Sequence, residues 1–451
     1  MKRFSSISIA LASFLCAVTA NAGTRPHYGG TLHVTMQAAP QSFEPSASDS
    51  AGFRSLSQLV FETLVKLDDR GRPQPWLASS WQNEPGNQRW RFQLRSGVIL
   101  SDGTPLDSGT VAASLRASNP HWKVFAMGEL VMIEADAANA NLVTELSLPR
   151  NSIVRKNNGA VTGTGPYVVT KWDGASKHMT LGANDQYWGG RPFLDSIEVE
   201  FGKNYRDQVM QLDLGKTDVA EITPEAIRPA QSGDRIVLTS QPEELMTLAF
   251  SRDAASNDER RLRSALAQSI NTAALNNVIF QGGGEPTGAL LPNWLSGYAF
   301  LFPTGGDIAA ARRNVPRQEG ALTLGYDPTD ALARIIADRV VLNAHDAGIL
   351  LQSSTSSATD IRLLRLELPS LDPQLALQEL ARQLQLPAPA FSNSSVAANY
   401  SAENSVLQTR RAIPLLHLRT AVATRPNVHG LAVRPDGTWN LSNVWLSAET
   451  P

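Results

Sequence analysis

The chain has 451 residues, of which 42% are hydrophobic and 18% are charged, so it is long enough to bury more than one core. Its 40 basic and 42 acidic residues give a formal net charge of −2. They form no basic tail or stripe, which argues against nucleic acid as a partner.

The first 22 residues have the features of an export signal. A basic start is followed by an apolar stretch over residues 7–18 and by the small-x-small pattern of residues 20–22. We expect cleavage after Ala22 rather than lipid attachment at Cys16, which two large apolar residues precede. The mature chain would have 429 residues (451 − 22), a net charge of −4 (38 − 42) and no cysteine. That excludes disulfides and thiolate chemistry, and it suits the periplasm.

Apolar residues alternate with period two over residues 31–36, 90–94 and 197–201, which predicts three strands. The turn residues of Asp102–Pro105 indicate a turn before a short helix from about Asp107. Between these elements, the glycines of Gly163–Tyr167 are expected to adopt backbone angles that other residues resist, and Pro166 to set the direction of a sharp corner.

Helical spacing of apolar residues predicts helices around residues 56–63 and 262–269. A longer helix is expected from near Thr329 to Gly348, with Leu332, Ile335, Ile336 and Val340 facing inward. Two stretches are expected to be loops: the glycine-rich Gln281–Pro292, and Ser392–Ser405, interpreted as a flexible surface segment. The mixture of strands and helices favours an α/β or α+β fold.

From about residue 29 the chain resembles the family 5 extracellular solute-binding proteins, which serve oligopeptide, dipeptide and nickel importers. The similarity lies in the order and spacing of many short motifs rather than in any one of them. These are Gly29–Leu32, Pro40, Ser42–Pro45, Leu59–Leu67, Gly71, Pro75, Leu77, Ala78, Trp81, Trp90–Pro105, Gly163–Tyr167, Trp172, Asn184–Trp188, Pro192–Asp195, Ala265–Ile270, Gly282–Pro292, His345–Ile349 and Ile413–Leu415.

The chain also departs from that family's pattern. The usual His-Asp-Gly is Ser101-Asp102-Gly103, and the second large domain is short. The stretch that often precedes an Asp-Pro is reduced to Glu367–Pro373. In peptide-binding relatives an aspartate near this stretch holds the ligand's amino terminus, and no equivalent can be assigned here.

The resemblance implies an α/β, two-lobed periplasmic binding protein fold of the type II-like, hinge-closing class, with an additional small subdomain. Lobe I is expected to comprise residues 23–58, 163–245 and 411–451. The appended subdomain would comprise residues 59–162, and lobe II residues 246–410. Chain crossings near Met246–Ser251 and Ile413–Arg419 would form the hinge.

No pattern of catalytic residues is present, so we expect a binding protein and not an enzyme. There is no G-x-S-x-G motif, and none of the seven histidines forms an H-E-x-x-H pair. No cofactor is expected. His417, on the return crossing, is the one metal-ligand candidate, with a packed histidine as the alternative.

A cleft for a peptide-like solute needs apolar walls and one or two charges for the ligand's ends. The candidates are Phe53 after the first-strand loop Ser46–Gly52, two residues on the first crossing, and two aromatic residues after the glycine-rich loop. Glu367 could pair with an amine, and Arg365 or Arg419 with a carboxylate. The full set is Phe53, Met246, Thr247, Trp294, Tyr298, Arg365, Glu367, His417 and Arg419.

The expected function is that of the periplasmic substrate-binding component of an ABC importer. It would capture a small peptide or peptide-like solute by hinge closure, as a monomer, and deliver it to permease subunits in the inner membrane. Two alternatives stay open. One is a receptor of the same fold for a metal or cofactor complex, and the other is a non-transport sensor or chaperone-like protein with a degenerate cleft.

Overall fold

The computed structural model describes residues 25–40, 42–45, 51–157, 160–174, 177–231, 235–300 and 302–447. The export signal, Cys16, the cleavage site and most of the Ser46–Gly52 loop lie outside the described residues. Within those ranges, no helix combines the length and the apolar character needed to cross a bilayer.

The strands are β1 (Thr31–Thr35), β2 (Val65–Leu67), β3 (Pro73–Pro75), β4 (Ala78–Asn83), β5 (Arg89–Leu94), β6 (Trp122–Met127), β7 (Leu130–Ala135), β8 (Arg155–Asn157), β9 (Ala160–Thr162), β10 (Tyr167–Asp173), β11 (His178–Ala183), β12 (Ser196–Glu200), β13 (Val219–Ile222), β14 (Ile236–Phe250), β15 (Glu285–Pro286), β16 (Leu322–Gly325), β17 (Leu351–Ser354), β18 (Ile361–Leu366), β19 (Ala412–Thr424), β20 (Val428–His429), β21 (Ala432–Val433), β22 (Trp439–Asn440) and β23 (Trp445–Leu446).

The helices are α1 (Ala51–Val60), α2 (Ser108–Ser118), α3 (Leu142–Glu145), α4 (Tyr205–Asp213), α5 (Ile227–Ala230), α6 (Asn257–Ser269), α7 (Thr272–Ala274), α8 (Asn293–Ser296), α9 (Ile308–Asn314), α10 (Ala331–Asp346), α11 (Pro373–Gln383) and α12 (Val396–Leu407). Short helical turns occupy Pro149–Asn151, Pro224–Ala226 and Leu275–Ile279.

One large mixed sheet organises most of the chain. Its strand order is β10-β11-β12-β1-β13-β19-β14-β18-β16-β17, with β15 beside β19. The strands β14 and β19 pair antiparallel along most of their length and stand at the centre of this order. The register shifts around Pro242 and again after Met246, so the pair is irregular in its middle.

Separate hydrophobic cores lie on the two sides of this central pair. One core combines β1, β12 and α1, and includes Leu32, Leu56 and Val199. The other combines β14, α6 and α10, and includes Leu248 and Ile336. The α/β class is therefore confirmed, while the lobe boundaries stay a prediction.

A second, four-stranded sheet of order β4-β5-β7-β6 stands apart from the large sheet. Phe92 on β5, Val131 on β7 and Leu115 on α2 are fully buried in its own core. The alternation over residues 90–94 is confirmed, because Trp90, Phe92 and Leu94 are the buried residues of β5. The helix expected from Asp107 is confirmed too: the Asp107 carboxylate accepts a hydrogen bond from the Thr110 amide and caps α2.

The predicted long helix is α10, and three of the four side chains predicted to face inward are buried or partly buried. Ile336 and Val340 are buried, and Leu332 is partly buried against the same core. The prediction that Ile335 faces inward is wrong, since this side chain is 53% exposed. A helix of this length can bury only one stripe, and Ile335 adjoins Ile336 on the solvent side of that stripe.

The interpretation of Ser392–Ser405 as a flexible loop is wrong, because most of it belongs to α12. Ser395 caps this helix by accepting a hydrogen bond from the Ala398 amide. Ala402 and Glu403 are buried on its inner face. Serine and asparagine suit a cap as well as a loop, and alanine favours the helix that follows.

The corner at Gly163–Tyr167 needs its glycines for a different reason from the one expected. Neither Gly163 nor Gly165 has a positive φ. A Cβ on Gly163 would overlap the carbonyl oxygen of Val60, and one on Gly165 would overlap that of Leu59. The glycines therefore permit close approach to the end of α1 rather than an unusual backbone conformation.

Candidate functional site

A cavity of about 460 Å³ lies between α1 and the Pro149 turn on one side and the segments after β18 on the other. We call it the interlobe cavity, since its walls come from the segments expected to form all three structural units. Its lining residues are Pro45, Arg54, Leu148, Pro149, Arg150, Arg365, Leu366, Glu367, Pro369, Glu379, Arg382 and Gln383.

Arg54 lies on α1. The apolar residues of this helix pack into the core, and the Arg54 side chain lines the interlobe cavity. Its Nη1 donates to the carbonyl oxygen of Leu368 at 3.0 Å. Its Nη2 donates to the carbonyl oxygen of Asp436 at 3.1 Å and lies 2.9 Å from the Glu367 carboxylate. One guanidinium thus joins α1 to the segment after β18.

Arg365 stands at the end of β18 beside the central strand β14. Its Nε and Nη2 donate to the two oxygens of Glu244, at 2.9 and 2.7 Å. Its Nη1 is 3.7 Å from Asp330, the cap of α10. A bidentate pair of this kind fixes the plane of the guanidinium.

A further carboxyl group, that of Glu243, is buried next to these charges. It accepts hydrogen bonds from the Thr420 hydroxyl at 2.5 Å and the Leu368 amide at 3.3 Å. Burial, and then the nearby carboxylates of Glu367 and Glu244, raise the pKa of Glu243 well above its usual range. Three carboxyl groups therefore share the space beside Arg54 and Arg365.

A third ion pair, between Arg150 and Glu379, also lines the interlobe cavity. Arg150 donates from both Nη atoms to the carboxylate of Glu379 on α11, at 2.7 and 2.9 Å. Glu379 also accepts hydrogen bonds from Arg382, three residues along the same helix. The pair joins the segment expected to form the appended subdomain to that expected to form lobe II.

Two of the nine site candidates, Arg365 and Glu367, line the interlobe cavity. Phe53 is 3% exposed and packs edge-on against Phe43, 5.4 Å away, within a core. Met246 and Thr247 are fully buried on β14. These three therefore pack inside the protein rather than facing this cavity.

Trp294 and Tyr298 lie near the glycine-rich loop, away from the interlobe cavity. Trp294 donates from Nε1 to the carbonyl oxygen of Pro242 at 2.8 Å. The Tyr298 hydroxyl donates to Glu403 at 2.5 Å, and its ring lies edge-on to Tyr400. Burial, and then the adjacent Glu403 carboxylate, raise the pKa of Tyr298. Both aromatic side chains therefore have hydrogen-bond partners within the protein.

His417 and Arg419 occupy β19 beside the same loop. His417 is 2% exposed, and its Nε2 bonds the carbonyl oxygen of Leu290 at 3.1 Å. Arg419 donates to the carbonyl oxygen of Ser240 at 2.9 Å and lies 3.6 Å from Glu285. Among the residues that the structure describes, no group of three or more His, Cys, Asp or Glu side chains is placed to hold a metal ion.

Sequence reasoning did not find Arg54, Arg150, Glu379 or Arg382. Arg54 carried a usable sequence signal, because it is a charged residue inside the apolar pattern of α1. In the structure it is 7% exposed. A buried arginine needs a partner from elsewhere in the chain. The other three lie in segments with no local pattern that predicts a shared cavity.

The family model described as bacterial extracellular solute-binding proteins, family 5 Middle, matches residues 72–317. The nickel-binding periplasmic protein of Escherichia coli is 26% identical over 48% of this chain and 47% of its own length. An uncharacterized protein of Bacillus subtilis, YhjP, is 34% identical over 32% of this chain and 27% of its own length. The chain thus spans less than half the length of either relative.

The structure is similar in fold to that of the oligopeptide-binding protein AppA from Bacillus subtilis, solved in complex with a nonapeptide. The TM-score is 0.79 at 16% identity, over 94% of this chain and all of the other. At this identity the likeness concerns the fold, and it supports the two-lobed architecture that the sequence resemblance implied.

Proposed function

The chain belongs to family 5 of the bacterial extracellular solute-binding proteins, and we propose that it is the periplasmic substrate-binding component of an ABC importer, with a peptide or peptide-like solute as its ligand. In this proposal the ligand occupies the interlobe cavity, the two sides close on it, and the closed form delivers it to permease subunits. The chain catalyses no reaction.

The observation that carries the proposal is that the interlobe cavity has walls from both sides of the central strand pair. A ligand there would contact α1 and the Pro149 turn on one side, and the segment after β18 and α11 on the other. A ligand can contact both sides only when the two sides are close together, so ligand binding favours the closed state. The volume of about 460 Å³ is in the range of small-molecule sites.

The charges of the interlobe cavity support a zwitterionic ligand. Arg54 and Arg365 can pair with a carboxylate, and Glu367 with an ammonium group. Each already has partners in the protein, so the ligand would share or replace them. Amino and carboxyl termini at opposite ends of a short peptide match such a mixed lining.

The test is native mass spectrometry on protein purified from the periplasm, followed by calorimetric titration with a dipeptide mixture. We expect peptide-sized masses that leave on unfolding, and about tenfold weaker binding in Glu367→Gln and Arg365→Gln, as loss of one charged contact implies. The matched control is Arg261→Gln, whose exposed pair with Asp258 on α6 lies away from this cavity.

Two other outcomes would contradict the proposal. A retained metal or metal complex, lost in His417→Ala, would support the metal-receptor alternative instead. If the purified protein carries no ligand, and its mass does not shift after incubation with the peptide mixture, the result would support a non-transport role.

A further inference from the structure

A second cavity, of about 670 Å³, lies outside the interlobe cavity and shares no lining residue with it. Its walls come from the end of α1, the segment around β3, the residues just after β5, residues 187–193 and residues 439–443. We call it the aromatic cavity. It is larger than the interlobe cavity, and the proposed transport function assigns nothing to it.

The charged lining of the aromatic cavity has one sign. Four of its lining residues are the cations Lys66, Arg95, Arg191 and Arg434, and none of its described lining residues is a carboxylate. Arg191 is paired with Asp185 and Asp195, and Arg434 with Asp69. Of the remaining two cations, Lys66 has only the more distant Glu62 at 4.0 Å, and Arg95 has no carboxylate partner among the described residues.

Arg95 is held in place with its terminal nitrogens uncommitted. Its Nε donates to the carbonyl oxygen of Trp76 at 2.9 Å, and its guanidinium carbon lies 4.7 Å from the ring centroid of Trp188. Within the described chain, neither Nη atom has a hydrogen-bond partner, and no carboxylate lies within 4.0 Å of the group. This is the arrangement in which an arginine binds an incoming anion with two parallel hydrogen bonds.

Lys66 is the second cation without a full partner. Its ammonium nitrogen lies 3.6 Å from the ring centroid of Trp76 and 4.0 Å from Glu62. The oxygens of Glu62 already accept four hydrogen bonds, from Trp76, Thr164, Tyr187 and Trp188. Burial lowers the pKa of Lys66 to about 8, as expected where the nearby carboxylate compensates the charge only in part.

The same Glu62 fixes the aromatic walls. It binds the indole nitrogens of Trp76 and Trp188 at 2.7 and 2.9 Å and the hydroxyl of Tyr187 at 2.8 Å. The two indole rings meet edge-on with centroids 4.9 Å apart. Rings held in this way lose little freedom when a ligand packs on them.

We propose that the aromatic cavity is a second binding site, which takes a small organic anion with a planar ring. Its phosphate or carboxylate would pair with Arg95 and Lys66, and its ring would pack against Trp76, Trp188 or Tyr187. The site does not depend on the transport ligand, because it lies wholly outside the interlobe cavity.

Calorimetric titration of the mature protein with phenyl phosphate tests the proposal. Inorganic phosphate carries the charge without the ring, and phenol carries the ring without the charge. We expect phenyl phosphate to bind and both fragments to bind at least about tenfold more weakly. Arg95→Gln and Lys66→Gln should each weaken phenyl phosphate binding about tenfold or more.

The matched control is Arg91→Gln. Arg91 lies on β5, the strand that Arg95 directly follows, and it is paired with Glu84 outside the aromatic cavity. This variant should bind as the unchanged protein does, and unfolding curves establish that each variant is folded. The proposal is overturned if phenyl phosphate does not bind, or if both Arg95→Gln and Lys66→Gln bind it normally. It is also overturned if inorganic phosphate binds equally well, or if binding is lost in Arg365→Gln instead.

Discussion

His417 and Glu403 hold the same piece of chain from opposite sides. The Glu403 carboxylate accepts hydrogen bonds from the amides of Leu290 and Leu291, and His417 Nε2–H donates to the carbonyl oxygen of Leu290. Both side chains are buried. Burial lowers the pKa of His417 to about 4 and raises the pKa of Glu403 to about 7. The two groups therefore give opposite contributions to the pH dependence of stability.

The first prediction isolates His417. Between pH 6.5 and pH 4 the unfolded chain takes up a proton on this ring while the folded chain does not, so acidification favours unfolding. We expect the stability advantage of the unchanged protein over His417→Asn to shrink by about 3 kcal/mol across this window. Urea unfolding followed by tryptophan fluorescence at a series of pH values measures it. A difference that stays constant with pH would contradict the prediction.

The second prediction concerns the glycines packed against the end of α1. In Gly165→Ala the new Cβ would overlap the carbonyl oxygen of Leu59, which is backbone and cannot rotate away. We expect a loss of about 1–3 kcal/mol or more in the free energy of unfolding. Gly320→Ala is the control, since a Cβ there meets no atom within 4 Å. Equal stability of the two variants would show that the corner adjusts freely.

At the scale of the element, α12 shows how one cap decides between loop and helix. The composition of residues 392–405 suits a loop, but the Ser395 hydroxyl accepts the Ala398 amide and the helix begins there. The helix then buries Ala402 and Glu403 beside the glycine-rich loop. Its formation is thus coupled to the position of the segment that Glu403 and His417 bind.

The third prediction removes that cap. Ser395→Ala leaves the amide of Ala398 without its acceptor, and we expect about 1 kcal/mol lower stability. Ser394→Ala, at the exposed neighbouring position, should change stability by less than about half that amount. Chemical denaturation of the two variants in parallel makes the comparison. The capping argument fails if Ser394→Ala is the more damaging change.

At the scale of the whole molecule, ion pairs from distant segments link the two sides of the interlobe cavity. Arg54 meets Glu367 from α1, and Arg150 meets Glu379 from the Pro149 turn. These contacts exist only when the two sides are close together. If the two sides open and close as proposed, these pairs favour the closed state whether or not a ligand is bound.

The fourth prediction tests this contribution. Arg150→Gln removes the crossing pair, whereas Arg382→Gln removes only the partner of Glu379 on the same helix. Small-angle X-ray scattering of the ligand-free proteins measures the radius of gyration. We expect it to be larger in Arg150→Gln than in the unchanged protein, and unchanged in Arg382→Gln. The peptide affinity of Arg150→Gln should fall about three- to tenfold, as about 1 kcal/mol implies. Identical scattering from both variants would assign the pair no role in closure.

Several elements could be predicted from the sequence because their causes are local. The alternation along β5, the cap at Asp107 and the apolar stripe of α10 depend on residues a few positions apart, and each is confirmed in the structure. Ile335 and the Ser392–Ser405 segment were predicted wrongly. For Ile335 the deciding factor was which side of α10 met the core, and that is set by packing. For residues 392–405 the composition suits a loop and a capped helix equally, and the Ser395 cap together with the buried face of α12 favours the helix.

The sequence alone determined the family and the α/β class, since both depend on the order of short motifs along the chain. It also offered nine candidates for ligand contact, of which Arg365 and Glu367 line the interlobe cavity. Only the tertiary structure brought Arg54 to Glu367, Arg150 to Glu379 and Arg95 to Trp188. Arg54 and the backbone oxygen it binds at Leu368 are 314 positions apart. Contacts over such separations are decided by how the strands of the central sheet are ordered, and local periodicity carries no information about that order.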